Sequence, residues 1–234
     1  MINRFVALMV AKAPVPGLAK TRLTPPATRK QAAEIAASAL LDSLDAIMAT
    51  PGAVPVVAMT GSVPDAVRAD ELRSRLGAVT VVEQRGTRFA DRLANAHTDA
   101  ARHCPGLPIV QIGMDTPQVT PALLDATATA LDDADAVLGP AADGGWWVLG
   151  VRDPALAQLL RPVPMSTPDT FRDTWNALID GSARVGKVDE LSDVDTMADA
   201  LRVAEEIPNS RFAAAVRAIA VQVVAGQAVG GGRC

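Results

Sequence analysis

Short, nearly continuous apolar runs recur along this chain, separated by alanine-rich segments of helical spacing. Phe5 to Ala11 is the first run, followed by Pro55 to Met59, Val79 to Val82, Ile109 to Ile112, Ala136 to Leu138 and Trp146 to Val151. An apolar run of this length without polar alternation is the pattern of a strand covered on both faces. Between the runs lie Arg29 to Met48, Asp65 to Leu76, Arg88 to Arg102, Pro121 to Leu131 and Asp169 to Ile179, whose spacing predicts helices. Strand and helix in alternation predict an α/β three-layer sandwich, a mostly parallel central sheet with helices on both faces. Thr28, Pro64, Thr120 with Pro121, and Thr167 with Pro168 are expected as N-cap or first-turn residues.

No linker, repeat or low-complexity tract divides the chain, and 234 residues suffice for a sizeable single core. The expected organisation is one domain over residues 1–207, a helix over 208–228 and a disordered tail over 229–234. The apolar stripe of the last helix (Phe212, Val216, Ile219, Val223) is expected on the protein's own core, with a homodimer as the other way to cover it. Met1 to Ala11 ends at Lys12 without a signal-peptide pattern and reads as a strand. The most apolar C-terminal stretch is broken by Arg217, so no membrane association is expected. Cys104 and Cys234 belong to no CxxC or Cys/His pattern, which speaks against a zinc site or a disulfide scaffold and for a cytoplasmic location.

Charge is unevenly distributed. Residues 1–33 carry Arg4, Lys12, Lys20, Arg22, Arg29 and Lys30 and no acid, in a chain of 22 basic and 26 acidic side chains. A cationic segment in an acidic protein points to a local anion site. Nucleic acid is not an expected partner, because aromatic residues are only 3% and no basic domain is present.

In an open α/β sheet, ligands lie beyond the carboxyl ends of the strands. After the first strand, Lys12, Lys20 and Arg22 flank a loop shaped by Pro14, Pro16 and Gly17, a set able to neutralise a polyphosphate; it is neither a Walker A loop nor a GxGxxG turn. After Ile112, Asp115 stands between glycine and proline and suits a hard cation, with an Asx turn as the alternative. Asp143 precedes Gly144 and Gly145, where backbone could approach a ligand closely; a tight turn is the other reading. Asp189, Glu190, Asp193, Asp195 and Asp199 form a later acidic cluster, in which Asp195 with Thr196 is expected to cap a helix from Met197 to Glu206 and one aspartate to add a metal ligand. His97 and His103 read as surface or cap residues without a Ser or Cys motif beside them. Trp146 and Trp147 alternate across a strand, one facing the core and the other a pocket.

Four segments, AKAPVPGLAKTRL (11–23), IGMDTP (112–117), DAVLGPAADGGWWVLGV (135–151) and DVDT (193–196), resemble in order the small GT-A-fold transferases of the nucleotide-diphospho-sugar transferase superfamily, in the group related to 2-phospho-lactate guanylyltransferase. The resemblance implies a nucleotide donor, a small-molecule acceptor and Mg²⁺ (or Mn²⁺). It places Ala11, Lys12, Pro14, Gly17, Lys20, Arg22 and Gln84 at the nucleotide, and Gly144, Gly145, Trp146 and Ser166 at the acceptor. Asp115, Asp193 and Asp195 would hold the metal, with Lys20, Asp115 and Asp143 in the catalytic role. The chain departs from such relatives at Arg85, Arg88 and Ala90 within residues 84–93, and at Met165, where a tryptophan is usual. The activity implied is nucleotidyl transfer from an NTP to a phosphorylated or carboxylated acceptor; glycosyl transfer from a nucleotide sugar is the alternative, and an inactive nucleotide-binding module a third.

Overall fold

The computed structural model describes residues 4–219. Seven strands form one sheet in the order β3-β2-β1-β4-β6-β5-β7. They are β1 (Phe5–Lys12), β2 (Ala53–Thr60), β3 (Thr80–Glu83), β4 (Ile109–Gly113), β5 (Ala136–Pro140), β6 (Trp146–Val151) and β7 (Val185–Lys187). β1 pairs in parallel with β2 and β4, β2 with β3, and β5 with β7, while β6 runs antiparallel between β4 and β5. The mostly parallel sheet expected from the sequence is therefore present.

The apolar runs are continuous because both faces of the sheet are covered. Phe5, Ala7, Met9 and Ala11 of β1 point into one core and Val6, Leu8 and Val10 into the other. The first core is completed by α1 (Arg29–Ala49), α2 (Ala69–Leu76) and α4 (Pro121–Ala130), the second by α3 (Phe89–His103) and α5 (Thr170–Asp180). Thr28 caps α1 through a capping box with Gln31, and Thr120 caps α4 with Pro121 in its first turn. Behind α1 a third cluster joins Ile35 and Ala39 to α6 (Met197–Glu206) and to Phe212, Val216 and Ile219 of α7, a helix described over residues 211–219. Asp42 on α1 accepts from Phe212 N at 2.8 Å, so the last helix docks on the protein's own core. Val223, Cys234, the expected helix end and the tail over 229–234 lie outside the described residues.

Several sequence expectations need correction. Pro64 lies in a short 3₁₀ turn (Val63–Asp65), and α2 starts only at Ala69 because Arg68 takes a left-handed conformation. Thr167 and Pro168 precede α5 without capping it; Thr167 N donates instead to Thr170 Oγ1 at 3.0 Å. Another 3₁₀ segment (Pro154–Leu160) and β7 have no counterpart in the sequence parse.

His97 is fully buried, not a surface or cap residue. It sits on the inner face of α3 with Leu93, Ala94 and Ala100, its Nε2 3.0 Å from Gln111 Oε1 on β4 and its Nδ1 without a partner. Burial pulls its pKa down to about 4, against a partly opposing hydrogen bond to Gln111 Oε1. In the unfolded chain imidazole titrates near 6.5. Only the unfolded state then takes up a proton as pH falls below that value, so stability is full above pH 6.5 and is lost progressively towards pH 4. The loss is about 3 kcal/mol at about 1.4 kcal/mol per unit. Urea unfolding at pH 7 and pH 4.5 is expected to show a steeper decline for the wild type than for His97→Gln; equal declines would contradict a neutral buried imidazole.

Candidate active site

All the parallel strands deliver their carboxyl ends to one edge of the sheet, and β6, being antiparallel, starts there. A cleft of about 610 Å³ opens along this edge. Its construction depends on the segment after β7. Leu191 N donates to Pro140 O and Ala142 N to Leu191 O, each at 3.1 Å, and Val194 N donates to Asp115 O at 3.1 Å. Gln118 Nε2 also donates to Ser192 O. With Val194 buried as an anchor, residues 189–196 cross the strand ends and carry Asp193 and Asp195 between the Asp143 loop and Asp115.

Asp143, Asp193 and Asp195 each offer a carboxylate oxygen, and these oxygens lie within 4.8 Å of one another. Burial and the surrounding Asp143, Asp115 and Asp195 push the Asp193 carboxyl up to about 6. Asp115 stands outside this triad and is joined to it by Lys20, whose Nζ is 2.9 Å from Asp115 Oδ2 and 3.0 Å from Asp195 Oδ1. Arg22 Nη1 reaches Asp195 Oδ2 at 2.8 Å. Burial would lower the Lys20 pKa, but the charges of Asp115 and Asp195 drive it well above its usual range. Burial would likewise raise Asp115, and the ammonium beside it holds that carboxyl low. Lys20 adopts a left-handed backbone (φ 46°, ψ 44°), a cost of about 1–2 kcal/mol that its two ion pairs offset.

Of the residues expected at the nucleotide, Ala11, Lys12, Lys20, Arg22 and Gln84 line the cleft. Gln84 Nε2 donates to Ala11 O at 2.7 Å and Ala58 O at 2.9 Å, tying β1 to β2. Pro14 and Gly17 are not on the cleft wall. Pro14 is buried and its carbonyl accepts from Val67 N at 3.2 Å, while Gly17 backs onto the Arg29 side chain. Asp143 makes the tight turn, its Oδ1 accepting from Gly145 N at 2.7 Å, and the same side chain belongs to the acidic triad. Gly145, Trp146 and Ser166 line the cleft, but Gly144 faces the other way, against Pro168. Trp147 is 2% exposed with its indole donating to Asp189 O at 2.8 Å, whereas Trp146 is half-buried at the wall. Asp195 does not cap α6; Thr196 does so in a capping box with Asp199, which frees Asp195 for the site. The sequence reading overlooked Phe89 and Arg92, which α3 presents to the cleft from its first turn.

The arrangement offers an all-oxygen donor set for a hard divalent cation beside a cationic loop for phosphates. A family model described as "Uncharacterized protein conserved in bacteria (DUF2064)" matches residues 43–167, more than half of the chain. No curated protein matches the chain by sequence. Among solved structures, a candidate nucleotide-diphospho-sugar transferase from Desulfovibrio desulfuricans G20 superposes with a TM-score of 0.80 at 23% identity, covering 93% of this chain and 96% of that one. CMP:2-keto-3-deoxy-manno-octonic acid synthetase complexed with CTP gives 0.54 at 11% identity, with 88% and 98% covered. Rv0371c from Mycobacterium tuberculosis H37Rv, in complex with manganese, gives 0.50 at 21%, with 88% and 100% covered. The fold is that of the nucleotide-diphospho-sugar transferases, as the motifs implied. Among the described residues no helix is long and apolar enough to cross a membrane.

Proposed function

We propose that this chain, which belongs to the DUF2064 family, is a transferase that uses a nucleotide-activated donor and a divalent cation. The observation that carries the proposal is the Asp143, Asp193 and Asp195 triad at the carboxyl ends of the strands, joined by Lys20 to the loop after β1. The residues present fit Mg²⁺ or Mn²⁺: three carboxylate oxygens are grouped, and burial first and the neighbouring carboxylates second raise Asp193. The manganese complex of Rv0371c, a relative in fold, supports the same assignment. Such an ion supplies charge neutralisation at the donor phosphates.

The chain's own side chains do the rest. Lys12, Lys20 and Arg22 bind the donor phosphates from the α1 side, Lys20 exchanging a carboxylate for a phosphate oxygen, and Gln84 lies where strands β1 to β3 end. Asp115 sets the position of the Lys20 ammonium. Trp146, Gly145 and Ser166 form the wall for the acceptor. In nucleotidyl transfer, our preferred reaction, an acceptor oxygen of a phosphate or carboxylate attacks the α-phosphorus in line, and the bond to pyrophosphate breaks. Glycosyl transfer from a nucleotide sugar is the second reading, favoured by the likeness in fold to the Desulfovibrio protein.

Thermal-shift measurements with each NTP and with nucleotide sugars, with and without Mg²⁺ or Mn²⁺, test both. A ligand at about one hundred times its Kd stabilises by about 2.7 kcal/mol, a rise of roughly 5–10 °C for a chain of this size. Metal-dependent stabilisation by one NTP is the expected result. Preference for a nucleotide sugar would favour glycosyl transfer, and no shift with any member would contradict a nucleotide donor.

A further inference from the structure

The two sides of the cleft differ in charge. On the side of α1, Lys20 pairs with Asp115 and Asp195 and Arg22 with Asp195, and Asp193 and, from the loop between β5 and β6, Asp143 are grouped with Asp195. On the side of α3 and residues 165–170, the wall is made of Phe89, Trp146, Met165, Ser166 and Thr167, and Arg92 is its one charged side chain. No carboxylate partner of Arg92 occurs among the described residues, whereas the nearby Arg85, Arg88 and Arg161 are paired with Asp99 or Asp91. Its Nε is buried without a hydrogen-bond partner, and its guanidinium lies 5.5 Å from the centre of the Phe89 ring. A buried N–H left without an acceptor carries a desolvation cost, which an incoming anion would remove. A cation over an aromatic ring is attracted to its face, and a guanidinium offers a fork of donors that matches a two-oxygen acceptor.

We infer that Arg92 recognises the anionic group, phosphate or carboxylate, of the second substrate, and so selects small anionic acceptors over neutral ones. This rests on the transferase reading of the cleft, because it is the donor phosphates and their cation that occupy the opposite side.

The test is an NMR titration of the full chain with inorganic phosphate and, separately, acetate, observing arginine Nε–H and tryptophan indole signals. The Arg92 signal is identified by its loss in Arg92→Gln. It is expected to move saturably with at least one anion, phosphate and carboxylate being distinguished by which moves it further. The exposed and ion-paired Arg172 should not respond in this way. The Trp146 indole, on the same wall, should report a midpoint at least tenfold higher in Arg92→Gln and an intermediate one in Arg92→Lys, which keeps the charge but not the fork. An Arg92 signal that follows neither anion, or a Trp146 midpoint equal in wild type and Arg92→Gln, would overturn the assignment. So would an Arg92 that responds to Mg²⁺ with NTP and thereafter ignores phosphate, since it would then belong to the donor. Saturable binding at Arg92 in a chain that no nucleotide stabilises would retain this inference and remove the nucleotide donor; nucleotide stabilisation with an unresponsive Arg92 would do the reverse.

Discussion

Lys20→Met is expected to lower stability at pH 7 by about 2 kcal/mol, and to weaken donor binding at least tenfold. Among the described residues the ammonium is the only cation in contact with Asp115, and together with Arg22 it is the counter-charge of Asp195. Removing one partner from a buried ion pair typically costs about 3–5 kcal/mol. The carboxylates here keep 35% and 31% of their side-chain exposure, so solvent screens part of the loss and the lower figure is appropriate. What distinguishes this site from an ordinary structural ion pair is the triad beside it. Without Lys20, Arg22 alone opposes the repulsion among Asp115, Asp195, Asp143 and Asp193, and added Mn²⁺ should restore more stability to the variant than it adds to the wild type. Urea unfolding with and without Mn²⁺, together with nucleotide thermal shifts, measures both effects. A variant as stable as the wild type and indifferent to Mn²⁺ would reduce the cluster to a surface ion-pair network.

How far the sequence revealed this site depended on whether chemistry was local. β1, β2 and β4 to β6 were legible because their centres are buried on both faces and so read as apolar runs, and β3, an edge strand with Val81 45% exposed, by its valines alone, whereas β7 is three residues at the other sheet edge, half-exposed and interrupted by Gly186. α3 carried a signal that went unread: Ala90, Leu93, Ala94, His97 and Ala100 follow one helical stripe, which places His97 in the core whatever its polarity. Lys20, Arg22, Asp115 and Asp143 were legible as candidates because each follows a strand, and Asp193 and Asp195 through the family resemblance. The triad itself was not, since Asp143 joins Asp193 and Asp195 only through the backbone bonds of Leu191 with Pro140 and Ala142 and of Val194 with Asp115, links across about fifty to eighty residues that no local pattern encodes. Arg92 was overlooked because inside a helical pattern a lone arginine resembles any solvent-facing residue; its missing partner is visible only in three dimensions.

Gly144 shows the same division most sharply, and yields the other large effect expected here. From sequence, two glycines after Asp143 suggest close approach of a ligand; in the fold, a Cβ on Gly144 would lie 2.1 Å from Pro168 O. Its backbone cannot retreat, because Gly144 N donates to Ala141 O at 3.0 Å and Gly144 O accepts from Phe171 N at 2.8 Å. Gly144→Ala is therefore expected to cost about 3 kcal/mol or more, combining about 1–2 for a side chain at φ +90° with about 1–3 for overpacking. Gly106 provides the control: its φ is +78°, yet nothing lies within 4 Å of a Cβ there, so Gly106→Ala should lose only the backbone contribution of about 1–2 kcal/mol. The difference between the two denaturation free energies isolates the contact with Pro168, which fixes residues 165–170 beside Gly145 and Trp146 on the cleft wall. Equal losses would mean that this segment yields freely, and that the glycine is there for a substrate after all.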